Sequence, residues 1–278
     1  VLAKMNELGY INEEEYNAAK AEVDNGIAFK QGVISTGAAS YSYHTEAAIK
    51  QVRDDLMEKN GWSKELAELN IRNNGYTIYS TQVSSVQAQM EEVFRDEKYI
   101  REKNGQKTQA GMVVIDNATG QVVGVMGGLG TEVNAAGLNR ATDGKRQTGS
   151  SMKTLTSVML GLKNNILTAA TVYDDNATTF PGNYKPKNYN GFKGLITMRS
   201  AIATSQNIPQ AKAMSEIGPD KAVDHLIEMG FKSIVTAEEN PTHNDENIAS
   251  MALGGLTIGA SPLEMAAAYE TIANDGEY

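Results

Sequence analysis

The chain contains no cysteine, which excludes a disulfide framework, a thiol nucleophile and a Cys-ligated zinc site, and leaves the redox compartment open. Its three histidines, His44, His225 and His243, are scattered without metal-ligand spacing. Positive charge is also scarce. Twenty-five Lys and Arg against 34 Asp and Glu leave a net charge of −9, a poor match for tracking phosphates, so nucleic acid is not an expected partner. No run approaches the roughly 18 apolar residues that a bilayer-crossing helix needs. The opening Val1-Leu2-Ala3-Lys4-Met5 is not a basic stretch followed by an apolar one, and there is no initiator Met. A chain that opens inside an amphipathic pattern reads as an excised piece, so the absence of a membrane anchor here does not show that the parent protein lacks one.

What is present describes an ordinary globular protein. With 278 residues, 41% hydrophobic and 21% charged, the chain has enough interior for one large domain or two modest ones. Leu2, Met5 and Leu8 fall at helical spacing before Gly9, and Asn12 stands three residues ahead of Glu15 as a capping box for a second short helix. From Asn25 to Tyr43 small residues accumulate and periodicity fades, as in a linker. A helix is expected from Thr45 to Glu58, a strand over Tyr76–Thr81, and a helix over Val83–Phe94 with Val86, Met90, Val93 and Phe94 inward. Gly111–Ile115 and Gln121–Met126 flank the turn residues Asp116-Asn117-Ala118-Thr119-Gly120 and predict a β-hairpin. Beyond Gly149 the pattern is mainly helical, through Leu162 and again at 197–203, 208–217, 220–229 and 262–274. Strands first and helices after predict an α+β fold. Asp174-Asp175 reads as a solvated turn.

Two short segments carry chemistry. In Arg146-Gln147-Thr148-Gly149-Ser150-Ser151-Met152-Lys153, a Ser-x-x-Lys opens a helix that the pattern buries. Residues i and i+3 share a helical face, so the Lys153 stem can fold back toward the Ser150 hydroxyl. A serine attacks an amide at neutral pH only with a base beside it, and a desolvated lysine is neutral enough to serve. A Ser-x-x-Lys also arises about once by chance in a chain of this length, as an N-cap serine with a solvated lysine. The second segment, Thr204-Ser205-Gln206-Asn207-Ile208-Pro209, fits a helix-to-helix loop because Pro209 suits the first turn of a helix. There Ser205 can relay a proton and Asn207 can bond a peptide backbone, although an ST-turn uses the same residues.

Taken in order, these pieces resemble the bifunctional (class A) penicillin-binding proteins, which join a glycosyltransferase domain to a D,D-transpeptidase. The resemblance runs through the hairpin 111–128, Asn139-Arg140-Ala141-Thr142, the Ser150 segment, Pro186-Lys187-Asn188-Tyr189, Thr197-Met198-Arg199-Ser200-Ala201, Ser205–Pro209 and the long stretch from Leu253 to Tyr269. It implies an α+β fold of the penicillin-binding-protein and serine β-lactamase type, an antiparallel sheet with helices. It also implies three parts: 1–24 as the end of a glycosyltransferase domain, 25–109 as a linker and small α+β segment, and 110–278 as a transpeptidase domain.

Carried over by resemblance, Ser150 is the acylated nucleophile, Lys153 its base, Ser205 a proton relay and Asn207 a contact to the substrate backbone. The implied substrate is a peptidoglycan stem peptide ending in D-Ala-D-Ala, β-lactams acylate the same serine, and no cofactor or metal is called for. The implied location is the extracytoplasmic face of a bacterial membrane, reached through an anchor outside this chain. Thr148 and Thr154 stand where the family commonly has proline. The family's third motif, Lys-Thr/Ser-Gly, is absent, since Lys153-Thr154-Leu155 and Lys232-Ser233-Ile234 lack the glycine. The fold is therefore expected to stop short of that strand, and either a second fragment supplies it or the chain is inactive alone. The alternatives are a non-catalytic penicillin-recognising sensor or scaffold, and a serine β-lactamase, which would carry Asp in place of Gln206.

Overall fold

The structure, a computed structural model, describes residues 1–26, 41–130 and 137–276. The chain divides into two compact units, Val1–Ala39 and Ser40–Tyr278. In the first, α1 (Leu2–Glu7) is followed by α2 (Glu13–Asp24). The capping box is present: the Asn12 side chain accepts from the Glu15 N–H at 2.9 Å, and the Glu15 carboxylate accepts from the Asn12 N–H at 2.8 Å. Most of the expected linker, residues 27–40, lies outside the described residues.

The second unit opens with α3 (Tyr43–Asn60), α4 (Lys64–Asn73) and α5 (Ser84–Arg95). Helix α3 starts two residues earlier than its apolar pattern suggests because Ser42 caps it, accepting from the Thr45 N–H. The strand expected over Tyr76–Thr81 does not form. Its side chains are mostly exposed, and Thr81 uses its hydroxyl rather than its main chain to reach the Val122 carbonyl. Short strands β1 (Glu102–Lys103) and β2 (Gln106–Lys107) precede the expected hairpin, β3 (Met112–Asp116) and β4 (Gln121–Met126). Asp116 accepts from the Ala118 N–H within its turn. Helix α5 packs on β4, with Val86, Met90 and Phe94 inward as expected, whereas Val93 is half exposed. Buried Gln87 pairs with the main chain of Val125 through both ends of its amide, so a side chain takes the place of a neighbouring strand.

The remainder is dominated by helices. Met152 and Lys153 lead into a wider π-turn over Thr154–Val158 and then α6 (Met159–Lys163). A further hairpin, absent from the sequence reading, pairs β5 (Val172–Asp175) with β6 (Gly194–Thr197). Helices α7 (Met198–Ala203), α8 (Asn207–Ile217), α9 (Pro219–Glu228), α10 (Ile248–Leu253) and α11 (Pro262–Ala273) follow. Helix α8 is nearly enclosed: Ile208, Ala211, Ala213 and Met214 are fully buried. The largest core joins it to Met152, Leu155, Leu226, Met251 and Leu256, so the Ser-x-x-Lys helix is anchored by the residues between and after its polar pair. The α+β class stands, with helices around small antiparallel sheets, each two-stranded among the described residues.

Candidate active site

The Ser150 turn is shaped by glycine. Gly149 takes a left-handed φ of +55°, and its N–H donates to the Gly254 carbonyl at 3.2 Å. Gly254, just past α10 at φ +72°, lies so close that a Cβ there would stand 2.2 Å from the Gly149 carbonyl oxygen. No residue with a side chain fits that approach. The Tyr269 hydroxyl, from α11, donates to the Ser151 carbonyl at 2.7 Å and fixes the other side of the turn. Ser150 is left exposed, and among the described residues nothing forms a hydrogen bond with its hydroxyl. A cavity of about 920 Å³ adjoins the turn, lined in part by Thr148, Ser151, Arg140, Lys145 and Pro262.

Lys153 is only 2% exposed, so the reading of a solvated lysine is excluded. Its Nζ donates to the Ser205 carbonyl at 2.8 Å, the Ser205 hydroxyl at 3.1 Å and the Asn207 Oδ1 at 2.6 Å. These three neutral acceptors saturate an ammonium. Burial lowers the Lys153 pKa from the ordinary 10.5 to about 8, so the amine is poised to exchange a proton near neutral pH. Three of the four residues singled out in the sequence therefore meet at hydrogen-bond distance, and Ser150 stands one helical turn away without a hydrogen bond to the lysine.

The Ser205 turn explains how this arrangement is held. At the end of α7 the Gln206 N–H donates to the Ala201 carbonyl, and the Ser205 N–H to the Ile202 carbonyl. That is the double closure of a Schellman motif, whose left-handed residue is usually glycine. Here a serine takes it, at φ +54°. A non-glycine residue in that conformation costs roughly 1–2 kcal/mol. Serine's carbonyl and hydroxyl both face Lys153, a use glycine could supply only in part. Asn207 follows as the first residue of α8, and its Nδ2 donates to the Lys187 carbonyl at 2.7 Å, which turns its oxygen toward Lys153.

The sequence reading missed Asp175, Asn188, Gly254 and Tyr269 as parts of this site. Asn188, Gly254 and Tyr269 had entered only as members of longer resembling stretches. Asp175 is a correction. Rather than lying in a solvated turn, it is fully buried on β5, and its carboxylate accepts from Asn188 Nδ2 at 2.7 Å and from the Lys193 N–H at 3.0 Å. Asp174 is exposed, but on the same strand, paired with Leu195, rather than in a turn.

Residues 110–278 match the family model described as penicillin binding protein transpeptidase domain. Penicillin-binding protein 1A of Clostridium novyi is 30% identical over 308 residues, an alignment that takes in all of this chain and 35% of that protein. Penicillin-binding protein 1A of Clostridium perfringens is 31% identical over 300 residues, 99% of this chain and 43% of the relative. The chain thus spans less than half the length of these relatives. Among solved structures, PonA1 from Mycobacterium tuberculosis in complex with penicillin V superposes with a TM-score of 0.67 at 22% identity, over 84% of this chain and 60% of that one, a likeness of fold.

Proposed function

The chain belongs to the penicillin-binding protein transpeptidase family, and from that premise we propose that it carries the acyl-transfer centre of a peptidoglycan D,D-transpeptidase, with Ser150 as nucleophile. One observation supports the reading above the others. A lysine buried to 2% exposure and lowered to about 8 is bonded to Ser205 and Asn207, one turn from an exposed and unbonded serine. A buried amine with only neutral partners serves a structural role poorly, because its charged form loses hydration without gaining a counter-ion.

In the proposed reaction Ser150 Oγ attacks the carbonyl carbon of the penultimate D-Ala in a stem peptide ending in D-Ala-D-Ala. Its proton passes to neutral Lys153 through a hydrogen bond that forms between them as substrate settles. The peptide C–N bond breaks, and the proton travels from Lys153 through the Ser205 hydroxyl to the departing amine of D-Ala. An amine of a neighbouring stem peptide then attacks the ester carbonyl, gives up its proton along the same path, and restores the Ser150 hydroxyl. Asn207, held by Lys187, faces the same ammonium and keeps the lysine aimed. A β-lactam, whose strained amide presents a similar carbonyl, is opened by the same attack. The site is expected at the extracytoplasmic face of the membrane; among the described residues no helix is long and apolar enough to cross one.

Intact-mass measurement after exposure to penicillin tests this, followed by peptide mapping. The expected result is one covalent adduct on Ser150 and none in Ser150→Ala. Equal labelling of both chains would remove Ser150 from the role. Release of D-Ala from a peptide ending in D-Ala-D-Ala separates turnover from the accumulation of adduct that a sensor would show.

A further inference from the structure

The hydrogen bonds behind Asn207 run to a group with no place in that reaction. Asp175 lies on β5, fully buried, and a carboxylate only accepts. It accepts from Asn188 Nδ2 at 2.7 Å, so the Asn188 amide is turned with its oxygen on the opposite side. That oxygen accepts from the main-chain N–H of Asn207 at 2.7 Å and of Ile208 at 3.4 Å. Main-chain N–H groups only donate, so each end of the Asn188 amide has one permitted orientation. The same oxygen supplies a cap that α8 otherwise lacks, because Gln206 at the N-cap position makes no side-chain capping bond. Asn207 is thus gripped by its main chain through Asn188 and by its side chain through Lys187, and its Oδ1 is left pointing at Lys153.

We propose that Asp175 and Asn188 are positioning residues for the acyl-transfer site: the buried carboxylate orients Asn188, Asn188 caps α8, and Asn207 is held in place against the Lys153 ammonium. This rests on the function proposed above and extends it to a strand outside the segments that touch substrate. Glycine and main-chain contacts hold the Ser150 turn. A directed set of polar bonds, ordered by one carboxylate, holds the Lys153 side. The charged groups along this set are Asp175 at one end and Lys153 at the other, with Lys187 and Lys193 exposed at its edge and joined to it through main-chain atoms, and Lys212 bonded to the Asp174 carbonyl and Asn176 Oδ1 on either side of Asp175.

An exchange of the two side chains tests the proposal. Asp175→Asn alone leaves one acceptor oxygen for two donors, and Asn188→Asp alone sets carboxylate against carboxylate. Together they restore the set: the new amide at 175 accepts from the Lys193 N–H and donates to the new carboxylate at 188, whose other oxygen accepts from Asn207. Each single change is expected to slow penicillin acylation of Ser150 roughly 10–100-fold, the range for a misplaced catalytic group, and the exchange to return it to within about 3-fold of wild type. The exchange also brings a negative charge one link nearer Lys153, so its acylation profile should shift to higher pH than in the unaltered chain, which a merely structural role would not produce. Thermal melts accompany every variant.

Singles that acylate at the wild-type rate, or a folded exchange variant more than about 10-fold slower than wild type, would overturn the proposal. If Asn188→Asp does not fold, the exchange variant alone decides. Should wild type itself take no adduct, or Ser150→Ala take one equally, the acyl-transfer reading fails separately. Positioning is then judged by titrating Lys153 through the Cε resonance of lysine-labelled chains. Asp175→Asn should lower its midpoint and the exchange raise it, and identical midpoints in all chains would overturn the proposal.

Discussion

Two turns present the two serines, and they solve opposite problems. At Ser150 a glycine takes the left-handed conformation, Gly149 at φ +55°, so the serine beside it is regular, exposed and unbonded. At Ser205 the serine itself takes the left-handed conformation at φ +54°, and both of its oxygens are bonded to Lys153. In the proposed reaction the first turn frees a hydroxyl to attack. The second uses backbone strain to hold the lysine proposed as its base, which is a reason to accept the strain. A hydroxyl that must leave its place and one that must stay are distinguished by which residue bears the positive φ.

The largest effect should come from removing the held group. Lys153→Met takes away the proposed base and should slow penicillin acylation by roughly 10³-fold, within the span of general-base catalysis, measured by mass against time. The same change should stabilise the fold. The lysine's folded-state pKa of about 8 lies below its unfolded 10.5, so the folded chain gives up this proton first. Wild-type stability therefore rises with pH between those values, and below pH 8 the buried charge costs about 3 kcal/mol that Met does not. Denaturant melts at pH 7 and pH 10 should show the gap between the two chains narrowing at the higher pH.

Next is the close approach that shapes the free turn. Gly254→Ala places a methyl 2.2 Å from the Gly149 carbonyl oxygen, so one backbone must move. Acylation should fall about 100-fold, since misplacement of an attacking atom by about 1 Å has that effect, with a lower melting temperature. A variant with unaltered rate would mean that the Ser150 turn needs no such contact. The smallest effect tests the strained turn. Ser205→Gly removes the hydroxyl but suits the left-handed conformation, so stability should rise by about 0.5–1 kcal/mol while acylation slows about 10-fold. Ser205→Ala should slow acylation equally without the gain in stability, because alanine keeps the strain. Thermal melts of the pair separate the roles of backbone and hydroxyl.

Much of the fold and of the candidate site was legible in the sequence where its parts are local. The i, i+3 spacing of Ser150 and Lys153, the proline that opens α8, the Asn12 capping box and the Asp116–Gly120 turn all act within a few residues. What stayed hidden is long-range. Asp175 looks like a turn residue because aspartate is rare in strands, and its partners Asn188 and Lys193 lie across a hairpin from it. The strand expected over Tyr76–Thr81 failed for the converse reason: local alternation was present, but among the described residues no neighbouring strand pairs with it. Serine at a helix end where glycine is the norm was a readable signal, once α7 was known to end there.

At physiological pH the proposed reaction draws on the neutral fraction of a lysine whose pKa burial lowers to about 8. The rate of penicillin acylation of Ser150, followed by intact mass from pH 6 to pH 10.5, measures this directly. It should rise with pH and level off above a midpoint near 8. A midpoint near 10.5, the ordinary lysine value, or a rate unchanged across the range would contradict it.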